Sequence, residues 1–188
     1  MSRQTTKIYT YNEYIKNPPW IEETHELING EIVFMPPEGY NNLRIALLLL
    51  QTLAEVFGIE RLSKGIGIVT GGSKVTSRIP DLVLFDERST EELITNNVSI
   101  IDLDMFPPLL VVEVVSPGKE NHDRDYRYKY SEYAARGIQH YWIFDPQVKS
   151  ASFYQLVDGV YDLMTYGDRG MITTEHFHNI QINLDRFW

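Results

Sequence analysis

The sequence predicts an α/β fold in which a β-sheet carries helices on its faces, with one β-hairpin near the N-terminus and another near the C-terminus. Three observations lead to this prediction. Strand-like apolar runs occupy residues 79–86 and 109–116, helical periodicity occupies residues 41–57 and 121–136, and the pairs Asn29-Gly30 and Asp158-Gly159 are strong hairpin turns. Strands and helices that follow one another in this way are not the pattern of a helical bundle.

Composition limits the classes of protein that this chain can form. The chain has 188 residues and 43% hydrophobic content, which is enough for one well-cored domain over residues 1–188. It contains no cysteine, which excludes disulfides, thiolate zinc sites and cysteine nucleophiles. The formal net charge of −9 argues against a protein that coats nucleic acid, but not against an enzyme that acts on DNA.

Neither the N-terminal segment nor any apolar run has the pattern of a secretory signal or a membrane span. The N-terminal segment, residues 1–17, is polar where a secretory signal needs an apolar core. The longest apolar run, residues 45–50, is far shorter than the roughly 20 residues that cross a bilayer. We therefore expect a cytoplasmic protein with no membrane partner.

The first third of the chain predicts a hairpin followed by a helix. Strands near residues 26–28 and 31–34 flank the Asn29-Gly30 turn. Residues 41–57 carry apolar side chains at i, i+3 and i+4 spacing, with Asn41 or Asn42 available as the N-cap and Gly58 as the stop.

The middle of the chain is rich in glycine and β-branched residues. Residues 65–75 predict two or three short strands, and residues 80–85 predict a further strand. The glycines lack the Gly-Lys-Ser/Thr ending of a phosphate-binding loop, so strand bends and turns account for them better. Residues 89–104 predict a short helix and a loop.

The remaining elements alternate between strand and helix. Residues 109–115 are almost continuously apolar, which predicts a strand that is buried on both faces at the centre of the sheet. A helix over residues 121–136 ends at Gly137. The strand over residues 140–144 and the hairpin strands over residues 151–156 and 160–166 follow.

Two carboxylates stand out because each lies in a strand-like apolar run. Asp81 follows Pro80, and Glu113 lies between Val112 and Val114. An ionised carboxylate that leaves water must be paired or must coordinate a cation, and Mg²⁺ prefers carboxylate and water oxygens. The backbone carbonyl of Val114, or of the next residue, would add a ligand without adding charge. The simpler alternatives are a turn-capping Asp and a buried salt-bridge Glu.

The predicted helix over residues 121–136 carries a lysine, Lys129, that is a candidate partner for these acids. Asp125, Lys129 and Tyr133 are spaced by four residues and therefore project from one helix face. A lysine on that face can orient water or offset the charge that builds on a phosphorus atom. The simpler alternative is an i,i+4 ion pair on the helix surface between Asp125 and Lys129.

Aromatic residues are frequent in the same predicted helix and in the strand that follows it. Two alternatives remain open for them: stacking on nucleic-acid bases, or packing against the sheet, which is the more common role. The residues are Tyr126, Tyr128, Tyr130, Tyr133, Tyr141 and Trp142.

The order of these elements resembles the Uma family of restriction endonucleases, within the PD-(D/E)xK nuclease superfamily. The resemblance covers most of the chain from about Glu22 to Pro146. It is carried by Glu26-Leu27-Ile28-Asn29-Gly30-Glu31-Ile32-Val33-Phe34-Met35, Pro80-Asp81, Glu113-Val114-Val115-Ser116-Pro117, Asp125, Lys129, Tyr133, Gly137-Ile138 and Tyr141-Trp142-Ile143-Phe144-Asp145-Pro146.

The resemblance implies a restriction-endonuclease-like core with a mixed central β-sheet flanked by helices. Val115 occupies the superfamily's usual lysine position, and in this family the lysine is displaced to the following helix, which carries the role to Lys129 and keeps Asp125 as a supporting residue. Glu31 matches a recurrent acid of the family and is a candidate extra metal ligand. Relatives often carry a His near the position of Asn41 and Asn42, and this chain departs from the family's pattern there.

The resemblance also implies an activity. We expect a Mg²⁺-dependent DNA endonuclease, with Mn²⁺ as a substitute ion, that hydrolyses phosphodiester bonds directly, with Asp81, Glu113 and Val114 at the metal. Duplex DNA is the implied substrate, and a homodimer would suit the cutting of both strands. The alternative is a catalytically silent protein of the same fold that binds nucleic acid or a protein partner.

Overall fold

The computed structural model describes residues 4–16, 21–71 and 74–188. The strands are β1 (Gln4–Ile8), β2 (His25–Ile28), β3 (Glu31–Phe34), β4 (Leu62–Ser63), β5 (Gly67–Val69), β6 (Ser77–Arg78), β7 (Leu82–Leu84), β8 (Ile100–Ile101), β9 (Leu110–Val114), β10 (His140–Asp145), β11 (Ser150–Val157), β12 (Val160–Gly167), β13 (Met171–Thr174) and β14 (Ile180–Asn183). The helices are α1 (Tyr40–Phe57), α2 (Glu87–Asn96), α3 (Lys119–Asp123) and α4 (Tyr130–Arg136), with π-helical turns at Asn12–Lys16 and Arg124–Lys129 and 3₁₀ turns at Ile59–Arg61 and Leu184–Arg186.

The strands form two six-stranded sheets and one separate pair. The N-terminal sheet has the order β1-β3-β2-β6-β5-β8, and the core sheet has the order β12-β11-β10-β9-β7-β4. In the core sheet β9 and β10 run parallel, while β7 and β9, and β10 and β11, run antiparallel. The sheet is therefore mixed, as predicted.

Both predicted hairpins are confirmed. Asn29 and Gly30 connect β2 to β3 with φ angles of 52° and 83°, the left-handed pair that a tight two-residue turn requires. A Cβ atom on Gly30 would lie 2.7 Å from the Cγ2 atom of Ile8, so the turn also needs glycine for space. Asp158 and Gly159 connect β11 to β12 in the same way, with φ angles of 49° and 85°.

Helix α1 confirms the first predicted helix but not its predicted cap. The helix ends at Gly58, as expected. At its start, however, the N-cap residue is Gly39, and the side-chain amide of Asn42 donates instead to the carbonyl of Val114 at 3.1 Å and to Oγ of Ser116 at 3.2 Å. The expectation of an asparagine N-cap was wrong because the Asn42 amide ties α1 to the end of β9.

Strand β9 lies between two apolar layers, which confirms its predicted burial on both faces. Leu110, Val112 and Val114 pack in the layer that contains α1. Val111 and Val115 pack in the opposite layer, which contains α4. Because side chains alternate along a strand, Glu113 projects into the layer of α4.

The second predicted helix is continuous from Lys119 to Arg136, but its middle segment, Arg124–Lys129, is π-helical. It ends at Gly137 with a φ angle of 83°, as the sequence predicts. The pairing of β13 with β14 was not predicted.

None of the helices in the described ranges is long and apolar enough to cross a membrane. The single domain over residues 1–188 stays a prediction.

Leu49 and Leu47 lie on opposite sides of α1 and provide a matched test of the core. Leu49 is fully buried, whereas Leu47 is 57% exposed. We expect Leu49→Ala to lower the free energy of unfolding by about 2–5 kcal/mol, because it removes apolar contacts and leaves a cavity. Leu47→Ala should change it by less than about 0.5 kcal/mol. Urea unfolding followed by fluorescence measures both values, and equal losses would show that α1 does not pack as described.

Candidate active site

Asp81 lies in the bend before β7, Glu113 lies on the neighbouring strand β9, and both line one cleft. Asp81 directly precedes β7, and its Oδ2 atom accepts a hydrogen bond of 2.6 Å from the backbone N–H of Val114. Glu113 comes from β9, and only 3% of its side chain is exposed. The pairing of β7 with β9 therefore brings together the two acids that the sequence singled out.

Lys129 reaches the same place from the following helix. Its Nζ atom donates to Oε1 of Glu113 at 2.9 Å and lies 3.4 Å from Oε1 of Glu26 and 3.7 Å from Oδ1 of Asp125. Only 2% of the Lys129 side chain is exposed. Glu26, Glu113, Asp125 and Lys129 are called the lysine cluster below.

The predicted helix face is the one that turns towards β9. Asp125, Lys129 and Tyr133 are all buried, and the Tyr133 hydroxyl donates to Oε1 of Glu113 at 2.8 Å. Asp125 and Lys129 belong to the π-helical segment, a feature that is frequent at functional sites. The Asp125–Lys129 pair is therefore buried in the protein rather than on its surface.

Sequence reasoning missed the role of Glu26. Its carboxylate is buried, and it also accepts from Nη1 of Arg78 at 2.8 Å and from the backbone N–H of Ile79 at 3.2 Å. Arg78 in turn donates to both carboxylate oxygens of Glu132, at 2.6 and 2.7 Å. Glu26 begins the predicted strand over residues 26–28, and no sequence pattern distinguishes it from Glu31, the other acid of the hairpin.

Glu38 was also missed. It lies in the loop between β3 and α1, lines the cleft and is close enough to Asp81 to raise the pKa of that acid. Its Oε2 atom is 3.8 Å from Nζ of Lys64, and its buried Oε1 atom has no hydrogen-bond partner among the described residues. No periodicity or turn signal marks this residue in the sequence.

Of the two remaining predicted metal ligands, Val114 lines the cleft and Glu31 does not. The Val114 carbonyl lies at the cleft, where it accepts the Asn42 hydrogen bond and keeps a second lone pair. Glu31 is half-buried beside the hairpin turn, where it pairs with Ile28 and Ile8. The structure does not bring Glu31 into the lysine cluster or into the cleft lining.

The acids of the site outnumber the cations that face them. Burial, followed by the nearby Glu38, raises the pKa of Asp81 to about 7. Burial, together with Asp125 and Asp81 and against the attraction of Lys129, raises the pKa of Glu113 to about 8. Burial alone would lower the pKa of Lys129, but Glu113, Glu26 and Asp125 raise it, so the lysine remains charged.

The cleft has a volume of about 730 Å³ and presents oxygen atoms at its base. Asp81 and Glu113 supply carboxylates and Val114 supplies a carbonyl, a hard-oxygen set that suits Mg²⁺ or Mn²⁺. Burial raises the pKa values of both acids, and Glu38 raises that of Asp81 further, so a cation bound between them would favour their ionised forms. Within the described ranges, however, no three acidic or histidine side chains are already grouped as metal ligands.

The aromatic residues near the helix mostly pack inside the protein. Tyr133, Tyr141 and Trp142 are buried, and Tyr126 and Tyr130 are partly buried against them. Tyr128 is exposed, and none of the six residues lines the cleft. Packing against the sheet therefore explains most of this group.

Comparison with known families agrees with this arrangement. Residues 12–185 match the model of the family Uma2, described as "Putative restriction endonuclease". The chain belongs to the Uma2 family. The match includes β2, β7, β9 and the π-helical segment, which supply the acids and the lysine of the site.

Solved structures also include a similar fold. One match is a crystal structure from Anabaena variabilis ATCC 29413, described as "a putative nuclease belonging to DUF820", with a TM-score of 0.67. The two sequences are 16% identical, and the alignment covers 95% of the Uma2 chain described here and 97% of the other. No curated protein matches this chain.

The raised pKa values predict that the site destabilises the fold as the pH rises. Folding raises the pKa of Glu113 from 4.5 to about 8, so the folded state binds that proton more tightly than the unfolded state. Stability linked to this group is therefore lost between about pH 5 and pH 8. We expect Glu113→Gln to lose stability less steeply than the wild type across this range.

Thermal unfolding in EDTA, with the difference between the two proteins taken at each pH, measures this effect. The difference cancels the opposite contribution of His140, whose pKa burial lowers to about 4. A difference that does not depend on pH would contradict the assignment.

Glu26 and Glu31 provide a second matched test, because both are hairpin acids. Glu26→Gln removes the buried carboxylate that Arg78 and Lys129 share and should lower the free energy of unfolding by about 3–5 kcal/mol. Glu31→Gln should change it by less than about 0.5 kcal/mol. Urea unfolding at pH 7 gives both values. Equal effects would show that the contacts of Glu26 with Arg78 and Lys129 do not stabilise the fold.

Proposed function

We propose that this protein is a metal-dependent DNA endonuclease that hydrolyses phosphodiester bonds. The observation that carries the proposal is the contact of 2.9 Å between Nζ of Lys129 and Oε1 of Glu113, in the cleft that Asp81 also lines. Two carboxylates and one ammonium group in a single cleft are the groups that metal-assisted phosphodiester hydrolysis needs. Membership of the Uma2 family supports the same chemistry.

Asp81, Glu113 and the Val114 carbonyl would hold the cation, with Mg²⁺ as the proposed ion and Mn²⁺ as a substitute. When bound, the ion polarises a phosphoryl oxygen and lowers the pKa of a bound water molecule. The two acids can serve as ligands because each has an oxygen atom to spare. The hydrogen bonds recorded among the described residues use Oδ2 of Asp81 and Oε1 of Glu113.

Lys129 would act on the phosphate or on the attacking water. Its charge is maintained by Glu113, Glu26 and Asp125, and its position is fixed by burial. A fixed ammonium group needs little reorganisation when negative charge develops on the phosphorus, which makes it effective in a water-poor cleft. Asp125 and Glu26 would be positioning residues, since they contact the ammonium group and do not line the cleft.

Arg124 would add a second positive group. It lines the cleft, and its Nε atom donates to Oδ1 of Asp125 at 3.0 Å. Its planar guanidinium keeps further N–H groups for a phosphate oxygen.

The alternative is a catalytically silent member of the family that binds nucleic acid or a protein. The net charge of −9 is the observation that favours it, because acidic residues outnumber the basic residues that a nucleic-acid-binding surface needs. Homodimerisation stays a prediction that sedimentation equilibrium would test.

A plasmid-nicking assay tests the proposal. Wild-type protein should nick supercoiled DNA with Mg²⁺ or Mn²⁺ and not with EDTA. We expect Asp81→Asn, Glu113→Gln and Lys129→Met each to reduce the rate at least about 100-fold, the loss seen when a group that stabilises a transition state is removed.

Two exposed acids supply the matched controls. Asp162 lies on β12 and Glu55 lies on α1, both outside the cleft lining. Asp162→Asn and Glu55→Gln should nick at the wild-type rate. Cleavage that persists in Asp81→Asn and Glu113→Gln would remove the proposed site, and a folded wild type without metal-dependent nicking would favour the silent alternative.

A further inference from the structure

The cleft is lined by both apolar and charged residues. Four consecutive apolar residues, called the apolar wall below, lie at the end of β3 and in the loop that follows: Phe34, Met35, Pro36 and Pro37. The same cleft is lined by Asp81, Glu113 and the cations described above. A ligand that fills the whole cleft must therefore offer an apolar face next to a phosphate. A nucleotide has both parts.

The charges at the cleft are too few for a duplex-binding surface. The cations that line it are Lys64, Arg124 and Lys129, and each already lies within 4 Å of an acid: Glu38 at 3.8 Å, Asp125 at 3.0 Å and Glu113 at 2.9 Å, respectively. Most of the nonspecific affinity for duplex DNA comes from Lys and Arg side chains that neutralise phosphates, about 6–10 of them in a strong binder. The net charge of −9 adds to this deficit.

The reactive groups also lie deep. The side chains of Glu113 and Lys129 are 3% and 2% exposed, so a phosphate must enter the cleft to reach them. In a duplex each base is stacked on its neighbours, and its flat face cannot contact a protein wall beside the phosphate. An unpaired strand is flexible and presents its bases to apolar side chains.

We propose that the cleft takes single-stranded DNA, with one unpaired base against the apolar wall and its phosphate directed towards Lys129 and Arg124, beside Asp81 and Glu113. This inference rests on the proposed nuclease function and narrows its substrate from DNA in general to unpaired strands. It differs from the duplex substrate that the family resemblance implies. Affinity comes from base contacts with the wall as well as from phosphate charge.

Fluorescence anisotropy in EDTA tests the binding step without metal-dependent cleavage. The probes are a labelled 12-nucleotide single strand of mixed sequence, the same strand in a duplex, and the matched RNA strand. We expect the wild type to bind the DNA single strand at least about 10-fold more tightly than the duplex, because base contacts with the wall are lost in the duplex.

Met35→Ala tests the wall itself. Met35 is half-buried, whereas Phe34 packs on His25 and is a riskier site to change. We expect Met35→Ala to weaken single-strand binding about 5-fold and to leave the weak duplex binding unchanged. Leu163→Ala is the matched control, because Leu163 is 53% exposed on β12 and does not line the cleft. Thermal unfolding confirms that both variants are folded.

Three results would overturn the inference: duplex binding as tight as single-strand binding, tighter binding of the RNA strand, or an unchanged single-strand affinity in Met35→Ala. Cleavage of the same probes with Mn²⁺ separates this inference from the proposed function. Faster cutting of the duplex would overturn the single-strand assignment and support the nuclease. Single-strand binding without any cutting would overturn the nuclease and support the assignment.

Discussion

The buried contact between Lys129 and Glu113 is the interaction on which the rest of the site depends. It joins the π-helical segment to the central strand β9, and both side chains are almost completely removed from water. Two charges in such a place lose their hydration, and their mutual attraction repays that loss only when further partners satisfy them. Glu26 and Asp125 are those partners for the ammonium group, and Arg78 and Arg124 balance these two acids in turn.

This charge balance leaves a surplus of acid in the cleft. Asp81 and Glu113 have raised pKa values, and Glu38 adds a third carboxylate beside Lys64. Burial disfavours the ionised forms of Asp81 and Glu113, and a bound cation would favour them. The excess of buried carboxylates therefore lowers the stability of the folded site. The same carboxylates, with Lys129 beside them, are the groups that the proposed binding of a cation and a phosphate uses.

Local sequence patterns predicted much of this arrangement. The continuous apolar run around Glu113 predicted a strand buried on both faces, and four-residue spacing predicted that Lys129 and Tyr133 share a helix face. These inferences succeeded because burial and helical spacing are local properties of the chain. Family resemblance supplied the step that no pattern contains, namely that the helix face turns towards the strand.

The missed residues depend on contacts between distant parts of the chain. Glu26 joins the site because the N-terminal hairpin folds against Arg78 and Lys129, which lie far from it in sequence. Glu38 sits in a loop whose path is set by the packing of α1, and Asn42 was assigned to a helix cap although its amide binds the end of β9. Glu31 was selected because it matches a recurrent acid of the family, and the sequence alone does not show which acid of the hairpin faces the helix.

The central claim is that Asp81 and Glu113 form one cation site beside Lys129. Anomalous diffraction at the manganese edge, from crystals grown with Mn²⁺, tests it most directly. The account predicts one strong peak in the cleft, within about 2.5 Å of a carboxylate oxygen of each acid. An ordered cleft without a peak, or a peak bound by other residues, would contradict it.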